Sequence, residues 1–181
     1  MLLPLILLLA GCGKEEVAAP TPPAPPAVKI PAPDAVNLSD PETSRIYHLR
    51  DLKTVTISIA GKPHRLWIMD DDGKRQEGMM FLTEKEVAKD HGMIFVFPKP
   101  EPNDGKHGFW MHNCPLGLDI IYISPGKKVI SIGDGLPFNE TPVAPKGSYQ
   151  YVIELRRGRA KEIGLQPGMN IPIPLSVKAV D

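Results

Sequence analysis

The chain has 181 residues, so a single domain is the default expectation. Its 21 Lys and Arg balance 21 Asp and Glu, and a zero net charge argues against a nucleic-acid partner, which selects a basic surface. Proline is abundant, at 21 residues, and its crowding near the N-terminus marks a linker rather than an unusual core.

In chain order, the first feature is MLLPLILLLAGC. The apolar run from Leu2 to Ala10 is too short to span a bilayer as a helix and reads as a targeting segment. Its end, Leu9-Ala10-Gly11-Cys12, resembles the lipobox of bacterial lipoproteins. That resemblance implies removal of residues 1–11, acylation of Cys12 by a diacylglycerol, and a membrane contact made through the lipid. No Lys or Arg precedes the apolar run, which departs from the lipoprotein pattern. Gly13 after the anchor, by the same resemblance, implies the outer membrane, facing the periplasm. Residues 12–45 then form the lipidated Cys and a Pro- and Ala-rich tether, too poor in large apolar groups to offset the entropy of ordering. Extended polyproline chain runs at about 3.1 Å per residue, so such a tether reaches far from the membrane. With Cys12 acylated, Cys114, the other of the chain's two cysteines, has no disulfide partner.

The folded domain is expected over residues 46–181. Residues 54–59 alternate β-branched and polar side chains, and a turn at Gly61-Lys62-Pro63 returns the chain as a strand over 64–69. Asp70, Asp71 and Asp72 can cap a short helix through residues 74–80. Thr83 and Glu86 match a capping box, which predicts a further helical turn. The apolar run 92–97 has the look of a central strand buried on both faces. Strands follow at 109–112, 118–124, 128–132 and 149–155, with long irregular loops at 98–108 and 133–148. A short helix is predicted over 158–163, a strand at 169–173 and an edge strand at 175–180. Many short strands with tight turns argue for a mainly β, antiparallel sandwich or barrel-like single domain carrying two or three short helices.

Five segments in order carry a resemblance. They are Gly78-Met79-Met80, Gly92-Met93-Ile94-Phe95-Val96-Phe97, the block FWMHNCPLGLDI over 109–120, Tyr151-Val152-Ile153-Glu154-Leu155, and residues 158–164 between two glycines. Together they resemble the family of domain of unknown function 192. His112, Cys114 and Gly117 stand where that family pattern has Lys, Thr and Pro. The resemblance implies a small, mostly β structure and no settled activity.

Three functional readings follow from the residues. In the first, the domain is a binding or interaction module without catalysis, for a small ligand or an envelope protein. Its binding cleft is floored by Trp110, Met111 and Asp119, with Asn113 and Met80 beside it and the two long loops as its rim. In the second, Asp119 is a pocket acid. The competing view makes Asp119 a brace that accepts backbone N–H groups of the 113–117 turn, because a bare buried carboxylate is costly. In the third, Met111, His112 and Cys114 supply the thioether, imidazole and thiolate that Cu(I) prefers, although methionine is also a common filler of cores. The sequence calls for no cofactor, and nothing beside Cys114 activates it as a nucleophile. His48, His64 and His91 read as scattered surface residues. One of Phe109 and Trp110 is expected inside and the other near the surface.

Overall fold

The computed structural model describes residues 40–104 and 108–181; Cys12 and most of the expected tether lie outside them. One sheet of six strands organises the domain: β1 (Thr54–Ile59), β2 (Lys62–Met69), β3 (His91–Glu101), β4 (Leu118–Ile123), β5 (Val129–Gly135) and β6 (Tyr149–Arg156). Their order across the sheet is β1-β2-β3-β6-β4-β5. Three short helices accompany it, α1 (Pro41–Ser44), α2 (Asp72–Glu77) and α3 (Arg159–Glu162). The expected mainly β single domain is therefore what forms. All pairings are antiparallel except β2 with β3. That parallel pair forces the chain over residues 70–90 to cross the sheet before it can return.

The β1–β2 hairpin turns at Ala60-Gly61, two residues with φ of 47° and 77°, rather than at residues 61–63. Two left-handed residues make the tight turn whose twist matches that of the strands. β3 is buried on both faces through Val96, as its apolar run predicts, and it continues through Pro98 and Pro100 to Glu101. Gly92 fits there because a Cβ would meet the Glu154 carbonyl oxygen at 2.3 Å.

Strand alternation sorts the apolar side chains into two cores, one on each face. The first holds Trp67, Met93, Phe95, Ile120, Tyr122 and Val152 from the sheet, covered by Met79, Leu82, Val87, Met111, Cys114 and Leu116. The second holds Ile57, Leu66, Ile94, Ile121, Ile153 and Leu155, covered by Ala160, Leu165, Ile171, Ile173 and Val177.

Three expected strands do not form. Residues 109–112 make a single bridge, Phe109 to Val143. Their partner segment is flanked by Pro142 and Pro145, which have no N–H to donate, and Asn113 at φ 51° turns the chain away. Residues 169–173 make one bridge, Lys128 to Asn170, and residues 175–180 pair with no strand. Pro172 and Pro174 interrupt any ladder there, and the segment covers the second core instead. At Thr83 the capping box is present, with the backbone N–H and Oγ1 both donating to Glu86 Oε2 at 2.8 and 2.6 Å, but only one turn follows.

Candidate functional site

α2 begins where the Asp run predicts. The Asp71 side chain accepts from Lys74 N at 2.9 Å, and Lys74 Nζ reaches Asp70 at 2.5 Å and Asp71 at 2.8 Å. Gly78, at φ 45°, ends the helix and lets the chain pass over the Phe95 ring. α2 contributes no buried residue of its own and is held by ion pairs. From the segment before β1, the buried Arg45 guanidinium pairs with Glu77 at 3.0 Å and donates to the carbonyls of Gly78 and Met80 at 2.8 and 2.6 Å. Glu77 also accepts from the backbone of Ile46 and Tyr47. From the far end of the sequence, Asp181 pairs with Arg75 at 2.5 Å. Arg75 also donates to the Val96 carbonyl and lies 5.3 Å from the centre of the Phe97 ring.

Opposite α2 runs the 109–116 segment, fixed by the buried Tyr122 hydroxyl. That hydroxyl accepts from Phe109 N at 3.0 Å and donates to the Val143 carbonyl. Phe109 turns inward, edge-on to Phe95 with ring centres 4.8 Å apart. Trp110 turns outward and is 47% exposed, so the expected split between the two aromatics is what occurs. Its ring stacks on His112 with centroids 4.8 Å apart and planes 16° from parallel. His112 is held in turn by Glu140, 2.7 Å from Nδ1.

Between α2 and this segment lies a groove of about 260 Å³ walled by Arg75, Gln76, Phe97, Trp110 and Tyr149. A second, open depression includes Met80, His112 and Asn113. Beneath Trp110 a cavity of about 40 Å³ reaches Cys114 and Glu154. Among the cleft residues expected from sequence, Trp110, Asn113 and Met80 are thus placed around adjoining hollows. Met111 is not at the surface: it is 1% exposed, with its sulfur against Gly135.

Asp119 belongs elsewhere. It points to the opposite face of the sheet, where its carboxylate accepts from Gly158 N at 2.9 Å and Ala160 N at 2.7 Å. It is a brace, but for the start of α3 and not for the 113–117 turn. Both oxygens are engaged in satisfying free N–H groups of a helix end.

The soft-ligand trio does not converge. His112 and Cys114 border the cavity beneath Trp110, while the Met111 sulfur packs against β5. Cys114 Sγ donates to the Leu116 carbonyl at 3.3 Å, and burial pushes its thiol far above the ordinary value. Unbound, Cys114 is therefore a neutral thiol and not an activated nucleophile. Among the described residues no group of three or more His, Cys, Asp or Glu side chains gathers to hold a metal ion. His64 is fully buried rather than on the surface. Its Nδ1 donates to the Lys62 carbonyl at 2.9 Å while Nε2 accepts from Arg159 Nε at 3.1 Å, and burial lowers its pKa.

Glu154 is the residue that sequence reasoning missed. It sits in the middle of β6, opposite Met93 on one side and Ile120 on the other. It is 4% exposed, and its Oε2 has no hydrogen-bond partner. Burial alone pushes its carboxyl up to about 8. The signal was present in the alternation of YVIEL: Glu154 falls on the same face as Val152, where an apolar residue is the rule.

The model of the DUF192 family, described as an uncharacterized ACR, matches residues 55–173. The chain belongs to the DUF192 family. A crystal structure of a protein of unknown function from Novosphingobium aromaticivorans is similar to this DUF192 domain at 27% identity and a TM-score of 0.61, over 71% of this chain and 91% of that one. A second, from Sinorhizobium meliloti and named as a candidate transcription regulator, is similar at 29% identity and a TM-score of 0.56, over 65% of this chain and 90% of that one. No curated protein matches the sequence.

Proposed function

We propose that this DUF192 chain is a binding module of the cell envelope, lipid-anchored through Cys12 and without a reaction of its own. In this reading it holds a small ligand carrying a flat or ring-shaped body, such as a sugar, in the groove beside Trp110. The observation that carries it is Trp110 itself. An indole about half exposed, kept flat by its stack on His112 at 4.8 Å, is a preformed platform that loses little conformational freedom on binding. Aromatic faces with a few polar groups converging on them, here Arg75 and Gln76, are what small-molecule sites present.

Two features speak for binding over catalysis. Asp119 has both oxygens occupied on the other face of the sheet, and Cys114 is held as a neutral thiol. The lipobox-like Leu9-Ala10-Gly11-Cys12 and the Pro-rich tether support attachment to the outer membrane with the domain facing the periplasm. The balanced charge supports a partner other than nucleic acid. Among the described residues no helix is long and apolar enough to cross a membrane.

The test is a titration of the domain with oligosaccharides of envelope type, followed by isothermal calorimetry. Saturable binding that Trp110→Ala weakens at least tenfold, with an unchanged melting temperature, is the expected result. Equal binding by Trp110→Ala removes the groove from consideration. Anchoring is checked separately: Cys12→Ala is expected to release the protein from the membrane fraction.

A further inference from the structure

The cavity beneath Trp110 is distinct in character from the groove above it. Its boundary includes three aromatic rings, Phe95, Phe109 and Trp110, together with Met79 and the side chain of Glu154. Glu154 is buried to more than nine-tenths and leaves an oxygen unmatched. A buried polar atom without a partner costs on the order of 1–3 kcal/mol, so such atoms call for an explanation.

Among the described residues no cation pairs with Glu154. Arg45 pairs with Glu77 and donates to the carbonyls of Tyr47, Gly78 and Met80; its Nη2 makes no hydrogen bond, but Arg45 forms no ion pair with Glu154, and Arg75 is taken by Asp181 and the Val96 carbonyl. The other charged or titratable groups around the cavity are Glu77 on α2, His112 and Cys114 on the 109–116 segment, and Tyr122 on β4. The two Arg–carboxylate pairs are each neutral as a unit, His112 is paired with Glu140, and the Cys114 thiol and Tyr122 hydroxyl are kept protonated by burial. Glu154 is therefore left as the unmatched acid of this hollow.

We infer that the cavity receives a primary ammonium group, carried by the molecule in the groove, with Glu154 as its counter-charge and the surrounding aromatic rings as its walls. The inference rests on the groove reading above, since the cavity and groove share Arg75, Gln76, Phe109 and Trp110 as lining. Carboxylate plus aromatic rings is the chemistry that recognises organic cations. Size narrows the class. At roughly 10–15 Å³ for each water-sized group, about 40 Å³ takes about three such groups. An ammonium nitrogen with two carbons fits; a quaternary ammonium does not.

The sign of the pH dependence follows from the carboxyl. It must be ionised to pair with the cation, and unliganded it holds its proton up to about pH 8. Below that value each pH unit costs about tenfold in apparent affinity, and an alkylammonium keeps its own charge to about pH 10.

The probe is ethylammonium chloride, added to the intact domain and followed by backbone amide shifts of Cys114, Leu118 and Glu154, with sodium chloride as ionic control. Ethylammonium is expected to bind about fiftyfold more tightly at pH 8 than at pH 6. Ethanol and tetramethylammonium are expected to leave those amides unmoved. Glu154→Gln is expected to lose both the binding and its pH dependence while staying folded. Ethylammonium affinity within twofold in Glu154→Gln, an equal response to ethanol, or no response at pH 8 to 9 would each overturn the ammonium site. None of these results touches the Trp110→Ala titration, so the groove reading stands or falls on its own measurement.

Discussion

Glu154→Gln also tests the cavity through stability. In the folded domain the carboxyl is pushed up to about 8 by burial, against an ordinary value of 4.5 in the unfolded chain. The neutral form is thus favoured by folding, by about 5 kcal/mol in all. The sign is fixed by the direction. Below pH 4.5 the group is protonated in both states, and its stabilising contribution is fully present. As pH rises toward 8 the unfolded chain ionises while the native one holds its proton, and stability is lost progressively. Above 8 both forms are charged and the loss levels off. Gln at 154 is neutral throughout, so the difference between variant and wild type isolates this one group. Urea unfolding followed by circular dichroism at half-unit steps from pH 4.5 to 9 measures it. The two proteins are expected to match within about 1 kcal/mol near pH 4.5. Near pH 8.5 the variant is expected to be more stable by up to about 5 kcal/mol, or about 10–20 °C in melting temperature. A difference that stays flat across this range would mean that the Glu154 side chain meets water or a donor in solution, and the reasoning fails.

Two other outcomes follow from the geometry. Asp119→Ala removes the acceptor of Gly158 N and Ala160 N. It is expected to cost about 2–4 kcal/mol in urea unfolding and to leave saccharide and ethylammonium binding at wild-type strength, because it lies across the sheet from the groove. A loss of binding without a loss of stability would restore Asp119 to the site. Cys114, 3% exposed and held as a thiol, is expected to resist thiol reagents in the native domain. Its labelling rate should follow global unfolding as urea is raised, and fast labelling in native buffer would contradict its burial.

Much of the sheet was legible because local pattern and tertiary role agree. The alternation in residues 54–59 and the unbroken apolar run at 92–97 correspond to an edge strand and to a strand buried on both faces. Where they disagree, reading by pattern fails. The residues of 109–112 look like a strand, yet the prolines around Val143 allow one bridge only. The role of Asp119 as a brace was legible from the cost of burying a carboxylate. Its partners were not, since Gly158 and Ala160 lie 39 and 41 residues onward. The parallel pairing of β2 with β3 depends on a crossover that leaves no local mark. The split between Phe109 and Trp110 was legible from alternation, but not which of them faces out; Glu154 escapes because YVIEL reads well as a strand without asking which way its acid faces.

The helix that walls the groove contributes no buried residue, and among the ion pairs that hold it two differ in exposure. Arg45 and Glu77 form one, with side chains that are 1% and 10% exposed, while Asp181, at 35%, leaves the Arg75 pair open to dissolved ions. Added salt weakens exposed pairs first. The Asp181 pair is thus the first of the two to weaken as salt is raised, while the Arg45–Glu77 pair is shielded.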